Sequence, residues 1–223
     1  MTSNPPAQCC TTGFLHEGNP KGTLITIDNG IQAYLASPPA SKAHAGIGIL
    51  YVLDVIGIWQ NSKLMADVQS GLKYLRDTGV KCIGGVGYCF GGEYVVHHYK
   101  TASSSGFVAH PSFVEPEELA VITGLLSIAA AETGSIFPIE KRRELERIFI
   151  ETKQEYQINL FSGVEHGFSV RGDPNVKVQR FAKEQAFHRA VSWLDSHLVD
   201  KREYGLKVYG ILGLEYLCLN TWK

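Results

Sequence analysis

The sequence predicts an α/β protein whose mainly parallel sheet is covered by helices on both faces, and three observations predict it. Short β-type runs alternate with helical patterns along the chain. One run, Gly46 to Leu53, is almost continuously apolar, as a strand buried on both faces must be. A glycine-rich stretch, Gly84-Gly85-Val86-Gly87-Tyr88-Cys89-Phe90-Gly91-Gly92, stands where a strand gives way to a helix.

The elements follow in order. Residues 1–23 are turn-rich. Leu24–Ile27 and Ile31–Leu35 flank Asp28-Asn29-Gly30, and Asn-Gly between β-type runs predicts a hairpin at an antiparallel edge. Ser37-Pro38-Pro39-Ala40-Ser41 breaks the chain before the apolar strand, which ends at Asp54-Val55-Ile56-Gly57. Leu64, Met65, Val68, Leu72 and Leu75 recur at helical spacing and predict a helix over about 62–76. A strand over 81–86 leads into the glycine-rich turn, and a helix over 93–100 leads out. Strands are predicted at 106–109, 125–130 and 156–161. Pro138 suits the first turn of a helix reaching about Lys153, whose run Glu140 to Arg147 reads as a solvated charged face. An amphipathic helix from Val176 to Leu198 closes the pattern.

A chain of 223 residues suffices for one core without staples. A formal charge of -1, with both signs well mixed, gives no electrostatic case for nucleic acid or an anionic membrane as partner. Five cysteines without paired zinc-type spacing suit reduced thiols and imply no metal site. The N-terminus lacks a basic start and apolar run, and no segment reaches 18 apolar residues, so a cytoplasmic protein is expected.

The glycine-rich turn has the layout of a nucleophile elbow. Glycines two before and two after the nucleophile let strand and helix pack closely, and Gly87 and Gly91 fill those places around Cys89. The following helix would aim its N–H groups and positive dipole end at the sulfur, favouring thiolate. A dinucleotide loop would need a third glycine where Phe90 stands. A buried cysteine also serves as a small hydrophobe, so the two readings differ in what stands beside the sulfur.

In a parallel sheet, ligands bind outside the C-terminal strand ends. Asp54, Cys89, the segment around Gly134, and His166 all fall at such ends. Of eight histidines, His166 is the candidate base, because it stands between Gly163 and Gly167 on the loop after the last predicted strand. His110 is the reserve. A triad acid is expected after the strand 125–130, where Glu132 is the only carboxylate between Ala130 and Pro138. Arg171, five residues beyond His166, is a candidate for a substrate carboxylate, against the commoner role of a solvated arginine.

Together these motifs resemble the dienelactone hydrolase family, most closely its fungal members. The resemblance runs through Cys9-Cys10, His16-Glu17-Gly18, Asp54-Val55-Ile56-Gly57, the elbow, Val108-Ala109-His110-Pro111-Ser112-Phe113, and Ser162-Gly163-Val164-Glu165-His166-Gly167-Phe168, covering most of 9–198. It implies an α/β-hydrolase-type fold, here shortened and with an N-terminal β-hairpin. It also implies a Cys-His-Asp triad that hydrolyses esters or lactones through an acyl-thioester, without a cofactor. Cys89 resembles the nucleophile and His166 the base. The backbone N–H groups of Phe90 and Val55 would form the oxyanion hole, and Asp54 holds the place of a glutamate that helps activate the thiol.

The chain departs from the family pattern in three ways. Gly134 stands at the triad aspartate's position, so Glu132 is the candidate substitute. Only residues 55–88 separate Asp54 from Cys89, which points to a lost βα unit after Asp67. Residues 201–223 resemble nothing in the family. The expected organisation is one domain over 1–200 with a tail over 201–223, as monomer or homodimer. The expected function is ester or lactone hydrolysis through Cys89; the alternative is an impaired relative that binds a small carboxylate or a protein partner.

Overall fold

The apolar run after the Pro-Pro break forms the strand β3 (Ile47–Val52) in a computed structural model of the chain. The structure describes residues 3–5, 7–10, 13, 22–52, 61–98, 105–199 and 215–219. Alternate residues of β3 serve opposite cores: Leu50 and Val52 pack on one side, Ile49 on the other. That two-sided burial is why the run shows no polar alternation.

The hairpin forms as the sequence predicts, with β1 (Thr23–Ile27) antiparallel to β2 (Ile31–Ala36) across Asp28–Gly30. Gly30 takes φ 73°, which a glycine adopts without Cβ strain. Helix α1 (Asn61–Asp77) precedes β4 (Cys82–Tyr88), and α2 (Gly91–His98) follows the elbow. Then come β5 (Ser105–Ala109), α3 (Pro116–Ala120), β6 (Leu125–Ala131), α4 (Ile139–Thr152), β7 (Tyr156–Phe161), α5 (Phe168–Arg171) and α6 (Lys177–Leu198). The short helices α3 and α5 escaped the sequence reading because neither is long enough to show helical periodicity. For α3 a local signal was present: Glu115 caps it and Glu118 returns the bond in a capping box, with Pro116 at its start.

One sheet joins the strands in the order β1-β2-β8-β3-β4-β5-β6-β7, where β8 is Glu215–Leu219. β3 through β7 pair in parallel. β8 comes from the segment read as a tail, yet it lies inside the sheet, parallel to β3 and antiparallel to β2. Leu217 stands opposite both Leu35 and Leu50. β8 therefore occupies a slot that would otherwise leave β2 and β3 as two open edges.

On one face, Val68 and Leu75 of α1, Tyr94 and Val95 of α2, and Leu145 and Phe149 of α4 form one continuous core with Leu50 of β3 and with Leu126 and Ile128 of β6. The other face is covered by α6, whose Ala182, Ala186 and Ala190 repeat every four residues and let the helix approach Phe107 and Ala129 closely. Fully burying a side chain such as Phe107 stabilises the fold by about 1.5–3 kcal/mol. The parallel order brings the ends of β4, β6 and β7 to one edge.

Candidate active site

The elbow is built as its spacing implied. Cys89 takes φ 51°, a conformation that non-glycine residues rarely hold. The turn is pinned by its own backbone: the Cys89 N–H donates to the Ala109 carbonyl at 3.1 Å, and the Cys89 carbonyl accepts from Gly92 and Ser112, each at 3.1 Å. A Cβ on Gly87 would run into the Gly91 carbonyl, so strand and helix meet there only through glycine. The sulfur is wholly buried at the start of α2.

His166 reaches it. Its Nε2 lies 3.1 Å from Cys89 Sγ, the distance at which an imidazole exchanges a proton with a thiol. Gly163 (φ 70°) and Gly167 (φ 93°) bracket the loop that carries it. His110, the reserve candidate, instead packs its ring edge-on against His166 with centroids 4.8 Å apart. Its Nε2 shares a 2.7 Å hydrogen bond with Ser169 Oγ. Burial first, and then the neighbouring His166, hold the His110 imidazole well below its usual range, so it remains neutral.

The other ring nitrogen of His166 meets no acid among the described residues. Nδ1 is buried without a hydrogen-bond partner among the described residues. Gly134 faces this histidine: a Cβ added to it would lie 3.6 Å from the His166 Cβ and backbone nitrogen. Glu132 points its carboxylate elsewhere, accepting the Gly163 N–H at 2.7 Å. With Thr133, whose N–H and hydroxyl both donate to the Val164 carbonyl, it ties the Gly134 loop to the His166 loop. Arg142 was read as part of a solvated face, but its Nη1 donates to the carbonyls of Ala131, Glu132 and Phe137 at 3.2, 3.2 and 3.4 Å. Its place within a charged run concealed that role.

Two further groups complete the cluster. Cys10 Sγ lies 3.5 Å from Cys89 Sγ, and Ser112 Oγ 3.8 Å from it. The ligand-type atoms of Cys10, Cys89 and His166 all fall within 4.8 Å of one another. Cys10 had appeared in the sequence only as half of a Cys-Cys pair, with no spacing to connect it to the elbow. The two thiols titrate as a unit. The first proton leaves well below the usual thiol range, because the remaining S–H donates to the thiolate. That second proton is held well above the range, since its S–H is engaged and burial opposes another anion. Cys10 is the thiol that is lowered, with His166 adding to the effect, while the S–H that donates to it belongs to Cys89; His166 Nε2, 3.1 Å away, is placed to draw the proton from that sulfur. The backbone N–H of Phe90 also faces that sulfur and lowers its pKa.

Arg171 lies on α5 and is buried, contrary to the solvated alternative. It lines a cleft of about 230 Å3 with His166, Phe168, Glu165 and Gly13. Asp54 and Val55 fall outside the described residues. Among the described residues no helix is long and apolar enough to cross a membrane.

With this geometry in place, comparison with known proteins is direct. The profile of the dienelactone hydrolase family matches residues 52–198. Hydrolase pyvD of Aspergillus violaceofuscus is 39% identical, over 89% of this chain and 99% of its own length. Hydrolase tropI of Talaromyces stipitatus is 35% identical, over 90% and 100% respectively. The pyvD alignment runs over 246 residues, more than the 223 of the whole chain, so it includes residues of that relative with no counterpart here. The fold is shared with a candidate dienelactone hydrolase from Klebsiella pneumoniae subsp. pneumoniae (TM-score 0.65, 10% identity, 77% of this chain and 97% of that one). It is also shared with a dienelactone hydrolase-like promiscuous phosphotriesterase from metagenomic libraries (TM-score 0.58, 13% identity, 75% and 94%). The family profile spans the elbow and the His166 loop that the structure brings together, and by that match the chain belongs to the dienelactone hydrolase family.

Proposed function

We propose that the protein hydrolyses a carboxylic ester or lactone through an acyl-thioester on Cys89. The observation that carries this reading is the 3.1 Å contact between His166 Nε2 and Cys89 Sγ at a glycine-flanked elbow. The thiolate attacks the substrate carbonyl, and the Phe90 N–H binds the developing oxyanion. Val55 is the second donor by family resemblance, with Asp54 beside it as the group that helps activate the thiol. His166 passes the proton to the departing oxygen, then activates the water that releases the acid. Arg171, buried in the cleft beside His166, meets a carboxylate on the substrate. The substrate is a small molecule in the cytoplasm, and residues 1–200 with β8 act as one domain.

The test is hydrolysis of p-nitrophenyl acetate and of a dienelactone by the native chain and by Cys89→Ala. Loss of a nucleophile of this kind lowers turnover by roughly 10^4 or more, and unchanged hydrolysis in Cys89→Ala would sink the mechanism. A second reading is favoured by the partnerless Nδ1 of His166. In it the protein binds a small carboxylate without turnover, and binding survives Cys89→Ala.

A further inference from the structure

We infer that Cys10 is the resolving thiol for Cys89: peroxide oxidation of the nucleophile closes a reversible Cys10–Cys89 disulfide that switches the site off. What is switched rests on the reading of Cys89 as nucleophile; whether the bond forms rests on geometry alone.

The two sulfurs are 3.5 Å apart and buried together, with Cys10 1% and Cys89 0% exposed. A disulfide needs about 2.05 Å, so one sulfur must travel roughly 1.5 Å. The elbow is fixed by the bonds described above, whereas Cys10 ends a single 3-10 turn, Gln8–Cys10, closed by its N–H on the Ala7 carbonyl at 2.8 Å. Cys10 is therefore the partner that moves. Among the described cysteines, Cys82 opens β4 while Cys89 follows its last residue, a separation of about 20 Å along the strand. Among the cysteines whose side chains are described, Cys10, Cys82 and Cys89, only Cys10 is within reach of Cys89.

The chemistry balances with hydrogen peroxide as oxidant. The Cys89 thiolate attacks one peroxide oxygen, an S–O bond forms as O–O breaks, and the hydroxide released takes a proton to become water. Cys10 sulfur then attacks the sulfenic sulfur: S–S forms, S–O breaks, and a second water leaves with the Cys10 proton. Two thiols lose two electrons, and one peroxide becomes two waters. Burial sets the selectivity. Peroxide is small enough to reach a sulfur that a substrate carbonyl must reach, while a bulky cellular thiol is kept from the sulfenic acid, leaving Cys10 to capture it.

The test exposes the purified full chain to a several-fold molar excess of hydrogen peroxide, enough for the two oxidations a sulfinic acid requires, then measures intact mass, a non-reducing peptide map and p-nitrophenyl acetate hydrolysis, each relative to the same untreated variant. The expected result is a loss of about 2 Da, reversed by dithiothreitol, with a peptide linking Cys10 to Cys89. Hydrolysis falls at least tenfold and returns on reduction. Cys9→Ser keeps the cross-link. Cys10→Ser loses it and drives Cys89 to the sulfinic acid, which dithiothreitol cannot reverse. A native chain that goes straight to the sulfinic acid, or links Cys89 to another cysteine, overturns the inference. If the cross-link forms in a chain with no hydrolysis before oxidation, the disulfide stands and the hydrolase reading falls.

Discussion

Placing an aspartate at Gly134 tests the site most sharply, because it supplies the acid that His166 lacks among the described residues. The position is open: an added Cβ would sit at ordinary van der Waals distance, 3.6 Å, from His166. It is also strained, since φ there is 145°, where side chains cost on the order of 1–3 kcal/mol. At about 2–4 °C per kcal/mol for a chain of this size, that strain lowers Tm by roughly 2–12 °C. A carboxylate accepting from the buried Nδ1–H returns about 1.5–3 kcal/mol, so the variant remains folded. Removing a triad acid costs about 10^4 in turnover in the serine-protease example, which sets the ceiling for the gain. Gly134→Asp should raise kcat for p-nitrophenyl acetate by roughly tenfold or more below that ceiling. The same gain should appear with a dienelactone as substrate. Gly134→Asn, equal in shape but uncharged, should give neither effect. A cooperatively melting Gly134→Asp with unchanged kcat, or an equal gain from Gly134→Asn, would refute the reasoning.

Three further outcomes follow from described contacts. Glu132→Gln should leave the pH-rate profile where it is, because the amide oxygen still accepts the Gly163 N–H; loss of the basic limb would mean that Glu132 serves His166 after all. Glu93 is half-buried, and burial, then Glu118 and Glu115, push its carboxyl up from 4.5 to about 7. The folded state thus holds this proton more tightly, so the stability it contributes is present below pH 4.5 and lost as pH rises through about 7. Glu93→Gln should raise Tm by about 2–4 °C at pH 8, after solvent screening, and by little at pH 4; the reverse order would contradict the sign. Leu217→Pro removes a ladder donor from a strand paired on both sides, and should cost about 3 kcal/mol or more in urea unfolding, whereas an unaltered midpoint would mean β8 contributes nothing.

Most of the framework was legible because its signals are local. The hairpin showed in Asn29-Gly30, the two-sided strand in its unbroken apolar run, and the elbow in Gly87 and Gly91, which the structure packs against each other. His166 was legible because loop position and chain order together single out one histidine. What stayed hidden depended on partners distant in sequence. Nothing in Cys10 announces a contact with a residue 79 positions away. Arg142 looks like its charged neighbours until the carbonyls it holds are seen. Glu132 was chosen as the only carboxylate on its loop, and chain order says nothing about which way a side chain turns. β8 follows the longest helix without a hairpin signal, since its neighbours in the sheet lie at the other end of the chain.

That last feature bears on how the protein is made. On the ribosome, β2 and β3 emerge long before Glu215–Leu219, and at about 5–20 residues per second the gap amounts to roughly 10–30 s. Throughout that interval the N-terminal hairpin has no strand to dock on, and the edge of β3 stays open to pairing with a neighbouring nascent chain. The parallel core from β3 to β7 can assemble first, but the sheet closes only when the late strand threads between two early ones, a contact of high sequence separation that slows folding. Production of soluble protein should therefore respond to chaperone supply and to slower synthesis more strongly than the stability of the finished fold would suggest.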